Sequence, residues 1–226
     1  MNVKLISYSQ PTEELISLGI DDAQELIAFC ARVSNPSNQL NTETSDKLIK
    51  YLIKHKHWSP LECVSACLEI NTTRDIARQI LRHRSFSFQE FSQRYADPTK
   101  DLAFTFREAR FQDDKNRQNS IALDLSNPDH RELANMWLEK QQRIARMSKE
   151  VYEWAVNNDI AKEVARAVLP EGLTDSRMYM NGTLRSWIHI IDVRTYESTQ
   201  IEHREVAKAC AKVISEIFPM ITEFTH

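Results

Sequence analysis

The residues best suited to chemistry are concentrated in one stretch of the chain, from Arg78 to Tyr95. These eighteen residues include four arginines, one histidine and three serines. Guanidinium groups bind phosphate and carboxylate through paired hydrogen bonds, and serine hydroxyls can complete such a cage. The amides of Gln79 and Gln89 each offer a donor and an acceptor, so either could read the edge of a base. The stretch therefore predicts a site for an anionic small molecule.

Aromatic residues are interleaved with these polar groups, and we expect them to be buried beside the arginines. Arg78 and Arg82 are four residues apart, so on a helix their like charges would repel unless an anion neutralised them. An apolar wall with a few convergent polar groups is typical of a small-molecule site. The alternative for this stretch alone is a solvated helix face followed by a polar loop. The aromatic residues are Phe86, Phe88, Phe91 and Tyr95.

Two further segments carry residues suited to binding. Arg185 and His189 lie one helical turn apart and face the same way. Arg194 is nine residues from Arg185, so a continuous helix would place the two arginines on roughly opposite sides. One pocket could then use both only if the helix ends between them or if subunits share sites. Upstream, His57 could pack on a ring system and Ser59 could bind a phosphate, although an ordinary loop explains that segment as well.

Composition excludes several classes of protein. The chain has three glycines where average usage of about 7% would give roughly sixteen. No glycine-rich phosphate loop can be written from so few, so side chains must hold any nucleotide phosphate. A net charge of −3 gives no global basic field, and we expect no nucleic-acid partner.

The four cysteines are too few and too scattered for a disulfide framework, and no second ligand pair follows Cys63 and Cys67. We therefore expect reduced thiols and no metal site. No apolar stretch reaches the ~20 residues of a membrane span, and the first ten residues lack the apolar core of a signal peptide. These absences predict a cytoplasmic location and no membrane partner.

Hydrophobic periodicity predicts one α+β domain over residues 1–226, rich in helices around a modest sheet. Strands are expected at Val3–Ser7 and Leu61–Thr72, an extended or looped segment at Ser85–Tyr95, and an exposed insertion at Asp113–Arg117 within an irregular region, 96–128. The predicted helices are Ala23–Val33 (capped by Asp21 or Asp22), Thr44–Lys54 (Leu48, Tyr51 and Leu52 inward), Arg74–His83 (capped by Thr73), His130–Val156, Asp159–Leu169, Thr183–Ile191 and Thr199–Phe218. Apolar residues at spacings of three, four and seven make the long helix amphipathic: Leu133, Met136, Trp137, Ile144, Met147, Val151 and Trp154.

The motifs occur in an order that resembles the flavin-dependent thymidylate synthases. Arg82-His83-Arg84, seven further residues and then Ser92 form R-H-R-x7-S, the signature of that family. Five blocks in family order span residues 55–204, whereas the segment from Lys100 to Asp129 matches nothing in the family. The signature block continues as Ser92-x-Arg94-Tyr95, and the other four blocks are His57-x-Ser59-Pro60-x-Glu62, Glu163-Val164-Ala165-Arg166-x-Val168-Leu169-Pro170, Leu184-Arg185-Ser186 and Thr199-Gln200-x-Glu202.

The resemblance implies an enzyme that uses reduced FAD to move a one-carbon unit from methylenetetrahydrofolate to dUMP, with NADPH as reductant. It also implies a homotetramer in which subunits share flavin sites. The positions that match flavin contacts are Ser59, Arg82, His83, Arg84, Glu90, Arg185 and His189. Those that match dUMP contacts are Gln79, Arg82, Glu90, Ser92, Arg94, Arg166 and Arg194, of which Arg194 matches the arginine that activates the uracil.

Three positions depart from the family pattern. Cys63 replaces a histidine, His189 replaces an asparagine, and Asn181-Gly182-Thr183 differs from other members. The residues themselves fit methylation at C5 of the pyrimidine. No cysteine has an obvious activating neighbour that would make it a nucleophile. A fixed guanidinium, that of Arg194, is therefore the candidate for polarising the pyrimidine. Two other classes remain alternatives, an RNA- or nucleotide-binding module with steep salt dependence and a structural helical protein.

Overall fold

A four-stranded antiparallel sheet supports the helices that carry the predicted site. The computed structural model describes all 226 residues and places the strands in the order β1-β2-β6-β3, with β4 and β5 forming a separate hairpin. The strands are β1 (Asn2–Tyr8), β2 (Ser65–Thr73), β3 (Ser87–Glu90), β4 (Arg110–Gln112), β5 (Ser120–Ala122) and β6 (Asp175–Thr183).

Nine α-helices and four 3-10 segments surround this sheet, so the predicted α+β class, rich in helices, is confirmed. The assignment of residues 1–226 to one domain remains a prediction. The helices are α1 (Glu13–Ser17), α2 (Ala23–Ala31), α3 (Ser45–Lys54), α4 (Arg74–Ile80), α5 (Pro98–Asp101), α6 (Pro128–Asn157), α7 (Lys162–Ala165), α8 (Leu184–Arg194) and α9 (Ile201–Ile214). The 3-10 segments are Pro36–Asn38, Ser59–Glu62, Arg166–Val168 and Pro219–Phe224.

The main core lies between one face of the sheet and helices α8 and α9. Side chains alternate between the two faces of a strand, and every second residue of β2 and β6 is buried. Leu68 of β2 pairs with Met180 of β6, and both side chains are fully buried. Trp187 of α8 donates from its indole Nε1 to the carbonyl of Ala66 at 3.0 Å, which fixes α8 on the sheet.

Strand β6 was absent from the sequence-based assignment, although it is central in the sheet. Its inward residues include Met178, Met180 and Gly182, and its outward residues include Arg177 and Asn181. The alternation is present, but methionine, asparagine and glycine are not strand-favouring residues, so composition hid the pattern.

Several helix and strand boundaries, and one side chain predicted to be buried, differ from the sequence-based prediction. Helix α4 ends at Ile80 rather than near His83, and β2 begins at Ser65 because Ser59–Glu62 forms a 3-10 turn. Asp22 is the residue that caps α2, accepting from the backbone N–H of Glu25 at 2.8 Å. Tyr51, predicted to point inward, is 53% exposed.

Helix α6 is as long as predicted, but its apolar stripe faces solvent. The residues that α6 buries are Gln141, Ala145, Tyr152 and Ala155, which lie on a different side of the helix. We call the exposed set the α6 stripe: Leu133, Met136, Trp137, Ile144, Met147, Val151 and Trp154, all at least 42% exposed. No helix in the structure combines the length and apolar character needed to cross a membrane.

Candidate functional site

The signature segment after α4 is held in place by one aromatic side chain. Phe86 is buried and packs edge-on against Trp187, with ring centroids 4.8 Å apart. Its ring lies directly over Gly182 of β6, where a Cβ would come within 2.3 Å of it. This contact fixes the turn that carries Arg82, His83 and Arg84 at the end of the sheet.

His83 and Arg194, distant in sequence, meet at the C-terminal end of α8. The Nε–H of Arg194 donates to Nε2 of His83 at 3.0 Å. Burial, followed by the charges of Arg194, His189 and Arg82, lowers the pKa of His83 to about 4. His83 is therefore neutral at pH 7 and accepts the hydrogen bond that orients Arg194.

Gln79 lies next to this pair and belongs to a chain of side-chain hydrogen bonds. Its Oε1 is 3.1 Å from Nδ1 of His203, and its Nε2 donates to Oε1 of Gln200 at 2.7 Å. His203 is 1% exposed, and its ring meets that of His83 edge-on at 6.3 Å. Sequence reasoning missed His203, which carries no motif signal of its own.

Glu90 is a largely buried carboxylate held by two guanidinium groups and a hydroxyl. Arg78 contacts it at 3.1 Å, Arg74 at 3.5 Å, and Ser176 donates to it at 2.7 Å. Because α4 ends at Ile80, Arg78 and Arg82 do not share a helix face, which corrects the expectation of direct repulsion. The predicted flavin and dUMP contacts of Glu90 remain predictions.

The segment after β3 brings Ser92 and Arg94 toward the α7 region. Arg94 forms an exposed ion pair with Glu163 at 3.5 Å, and Arg166 begins the 3-10 segment that follows α7. Tyr95, expected to be buried, is 78% exposed and lies near the guanidinium of Arg94. Neither Ser92 nor Arg94 shares a hydrogen bond or an ion pair with Arg194 or His83.

A cavity of about 460 Å³ lies between the 3-10 turn at Ser59–Glu62 and the first half of α8. Arg185 is ion-paired there with Glu62. Ser59 is exposed at the start of the turn, and it is not among the residues that line the cavity. The lining residues are Trp58, Glu62, Ser85, Arg185, Ser186, Ile188, His189, Asp192 and Phe224.

Helix α8 is continuous from Leu184 to Arg194, so Arg185 and Arg194 project from roughly opposite sides of it. Arg185 and His189 line the cavity, whereas Arg194 meets His83 on the α9 side. The predicted residues thus lie in separate patches on one chain. A single site that used them all would need more than one subunit.

Several of the predicted arginines have no carboxylate partner. Arg82, Arg84, Arg166 and Arg194 form no ion pair, in contrast to Arg78, which pairs with Glu90 and Glu171. A guanidinium group without a carboxylate partner favours an anionic ligand.

A second polar network, absent from the sequence reasoning, ties the β4 region to α4 and α9. Arg107 donates to both carboxylate oxygens of Asp75 at 2.7 Å, and Arg110 is ion-paired with Glu202. These partners are 32 and 92 residues apart in the chain, and no local pattern in the irregular 96–128 region signals such long-range pairs.

Comparison with known proteins agrees with the predicted resemblance. The family model described as thymidylate synthase complementing protein, Thy1, matches residues 14–220. The chain is 47% identical over 223 residues to a protein named probable flavin-dependent thymidylate synthase from Paramecium bursaria Chlorella virus 1, covering 99% of this chain and 98% of that protein. It is 46% identical over 223 residues to the flavin-dependent thymidylate synthase of Synechocystis sp., covering 98% and 97% of the two chains.

A solved structure shares the fold. The UMP/dUMP methylase PolB from Streptomyces cacaoi, bound with 5-Br UMP, superposes with a TM-score of 0.78 at 24% identity, covering 99% of this chain and 92% of that one. The family model and the two relatives confirm the sequence-based identification: the chain belongs to the flavin-dependent thymidylate synthase family.

Proposed function

We propose that this chain converts dUMP to dTMP, with methylenetetrahydrofolate as carbon donor, FAD as flavin and NADPH as reductant. Family membership supports the reaction class. The observation that carries the proposal for this chain is the set of unneutralised guanidinium groups at the predicted nucleotide and flavin positions, Arg82, Arg84, Arg166 and Arg194. The cytoplasmic location expected from the sequence remains a prediction.

Arg194 is the proposed activating residue. Its Nε is occupied by neutral His83, while its two terminal nitrogens have no partner within the chain and are free for a pyrimidine. A fixed positive charge beside N3 and the carbonyl oxygens stabilises negative charge there, and this makes C5 nucleophilic.

Two of the four cysteines, Cys67 and Cys210, lie in an environment that disfavours addition of the thiol at C6. Burial raises the pKa of Cys210 to about 12 and also raises that of Cys67. The thiolate is the nucleophilic form, so neither residue is suited to attack at neutral pH.

The cavity beside α8 suits a flavin. It combines the indole of Trp58 and the side chain of Ile188 with the polar groups of Arg185 and His189, an arrangement typical of cofactor sites. Ser59, Arg82, His83, Arg84 and Glu90 are the further residues proposed to hold the cofactor. A bound flavin would supply the hydride for the reaction, while the chain binds, orients and stabilises charge.

We propose a homotetramer with shared sites. The α6 stripe leaves seven bulky apolar side chains exposed, which is the kind of surface that subunit interfaces cover. The opposite projections of Arg185 and Arg194 support sites completed by a second subunit. Light scattering on the purified protein tests this, and a monomer at micromolar concentration would contradict it.

The decisive experiment combines a visible spectrum with one substitution. We expect the purified protein to bind FAD, with the visible absorption bands of a flavin, and to form dTMP. Arg194→Ala should retain the flavin spectrum and lose about 100-fold or more in dTMP formation, the usual cost of removing a charge-stabilising donor.

Arg177→Ala is the matched control for this substitution. Arg177 is an exposed arginine on β6 whose Nε donates to Asn71 at 3.1 Å, away from the predicted contacts. Its removal should leave dTMP formation unchanged. A protein that cannot be reconstituted with FAD would refute the proposed function, and full activity in Arg194→Ala would remove Arg194 from its role.

A further inference from the structure

A chain of hydrogen bonds runs from Glu202 through Gln200 and Gln79 to the buried His203. Nε2 of Gln200 donates to Oε2 of Glu202 at 2.9 Å, and Nε2 of Gln79 donates to Oε1 of Gln200 at 2.7 Å. Oε1 of Gln79 then lies 3.1 Å from Nδ1 of His203. We call these four residues the Glu202 relay.

The direction of the relay follows from the charge at its first member. Although burial acts to raise it, hydrogen bonding from Arg110 lowers the pKa of Glu202 below its ordinary value, so the carboxylate is ionised and can only accept. Gln200 must therefore turn its NH₂ toward Glu202 and its carbonyl oxygen toward Gln79. The same constraint passes along the relay, so Gln79 turns its oxygen toward His203.

His203 ends the relay in a defined protonation state. Because Oε1 of Gln79 can only accept, Nδ1 of His203 must carry a proton. Burial, followed by the charges of Arg194 and His83, lowers the pKa of His203 to about 4, so the ring is neutral at pH 7 and Nε2 is unprotonated. Nε2 has no hydrogen-bond partner, which agrees with its position among apolar residues such as Val206 and Ile190.

We propose that His203 and Gln200 are positioning residues that hold the amide of Gln79 with one N–H free for an oxygen acceptor of the nucleotide. This inference rests on the proposed function, because Gln79 is a predicted dUMP contact. The free hydrogen on Nε2 matters because dUMP presents phosphate, hydroxyl and carbonyl oxygens, which accept hydrogen bonds. With the amide reversed, an oxygen of Gln79 would face an anionic ligand.

Two substitutions at His203 separate hydrogen bonding from packing. In His203→Asn, the side-chain NH₂ can replace Nδ1–H as donor to Gln79, but the smaller residue leaves a cavity. In His203→Leu, the volume is retained and the donor is lost. A positioning role predicts that the affinity for dUMP, measured by titration calorimetry, stays within about twofold in His203→Asn and falls by up to about tenfold in His203→Leu.

Stability is expected to follow the opposite order, with His203→Leu the more stable of the two variants in urea. Val206→Ala, on the same helix and lining the same apolar region, is the control. It should lose stability and keep the dUMP affinity of the wild type. If affinity follows stability across the three variants, His203 is a packing residue and the proposal is overturned.

A spectroscopic measurement tests the relay without any ligand. In protein labelled with ¹⁵N-histidine, the ring nitrogens of His203 should show protonation at Nδ1 only, and Glu202→Gln should shift the ring toward a mixture of tautomers. Protonation at Nε2 in the wild type would overturn the relay. If the wild type fails to bind dUMP while Nδ1 is protonated, both the proposed function and the positioning role are refuted. The direction of the hydrogen bonds in the relay is supported in that case.

Discussion

Gly182 of β6 is the position where the smallest substitution should have a large and local effect. A Cβ at this position would lie 2.3 Å from Cδ1 and 2.5 Å from Cε1 of Phe86. Ordinary contacts between carbon atoms are about 3.5–4.0 Å, so in Gly182→Ala the ring must move by about 1 Å or more. Trp187 lies against the same ring, with centroids 4.8 Å apart, and this limits where the ring can go.

We expect Gly182→Ala to lower the free energy of unfolding by about 1–3 kcal/mol, the usual cost of overpacking a core. Urea unfolding followed by circular dichroism measures this loss. Since Phe86 fixes the turn that carries Arg82, His83 and Arg84, the same variant should also bind FAD more weakly than the wild type. Titration of the apoprotein with FAD measures the second effect.

Gly172→Ala provides the control, because no heavy atom lies within 4 Å of a Cβ at that position. It should change stability by less than about 0.5 kcal/mol. Adding Phe86→Leu to Gly182→Ala should cost less than the sum of the two single changes, because the smaller side chain relieves the clash. Wild-type stability in Gly182→Ala, or strict additivity in the double variant, would refute the reasoning.

Three other perturbations follow from the structure. A histidine in the unfolded chain binds a proton near pH 6.5, whereas the buried His203 binds one only near pH 4. The free energy of unfolding should therefore fall as the pH drops from 6.5 to 4, by up to about 3 kcal/mol from His203 alone. Urea titrations at several pH values check this, and His203→Leu should lessen the fall. Glu62→Gln breaks an exposed ion pair with Arg185 and should change stability by less than about 1 kcal/mol; a larger loss in urea unfolding would contradict that estimate. Met147→Glu on the α6 stripe should lower the mass measured by light scattering, whereas Arg146→Glu, which points away from the stripe, should not.

The local part of the site was accessible from the sequence. The R-H-R-x7-S signature and its neighbouring blocks identified the family, and the nine-residue spacing of Arg185 and Arg194 already indicated that one helix face could not serve both. These inferences depend on the spacing of residues along the chain. Within one helix or one turn, that spacing determines how the side chains are arranged in space.

The rest of the candidate site depends on packing between residues that are far apart in the sequence. The ion pair between Arg110 and Glu202 joins residues 92 positions apart, and His203 gains its role only because α9 packs beside α4. The exposure of side chains was also not predicted. Periodicity predicted the long helix correctly, but it did not reveal that Tyr152 and Ala155, rather than the residues of the α6 stripe, face the rest of the chain.

The outward-facing stripe on α6 has a practical consequence for anyone who handles this protein. If neighbouring copies cover these side chains and complete each other's cofactor sites, oligomerisation and flavin retention become thermodynamically linked. Dilution would then release cofactor together with subunits, and added FAD would restore the quaternary structure. Specific activity would rise with protein concentration until the assembly saturates.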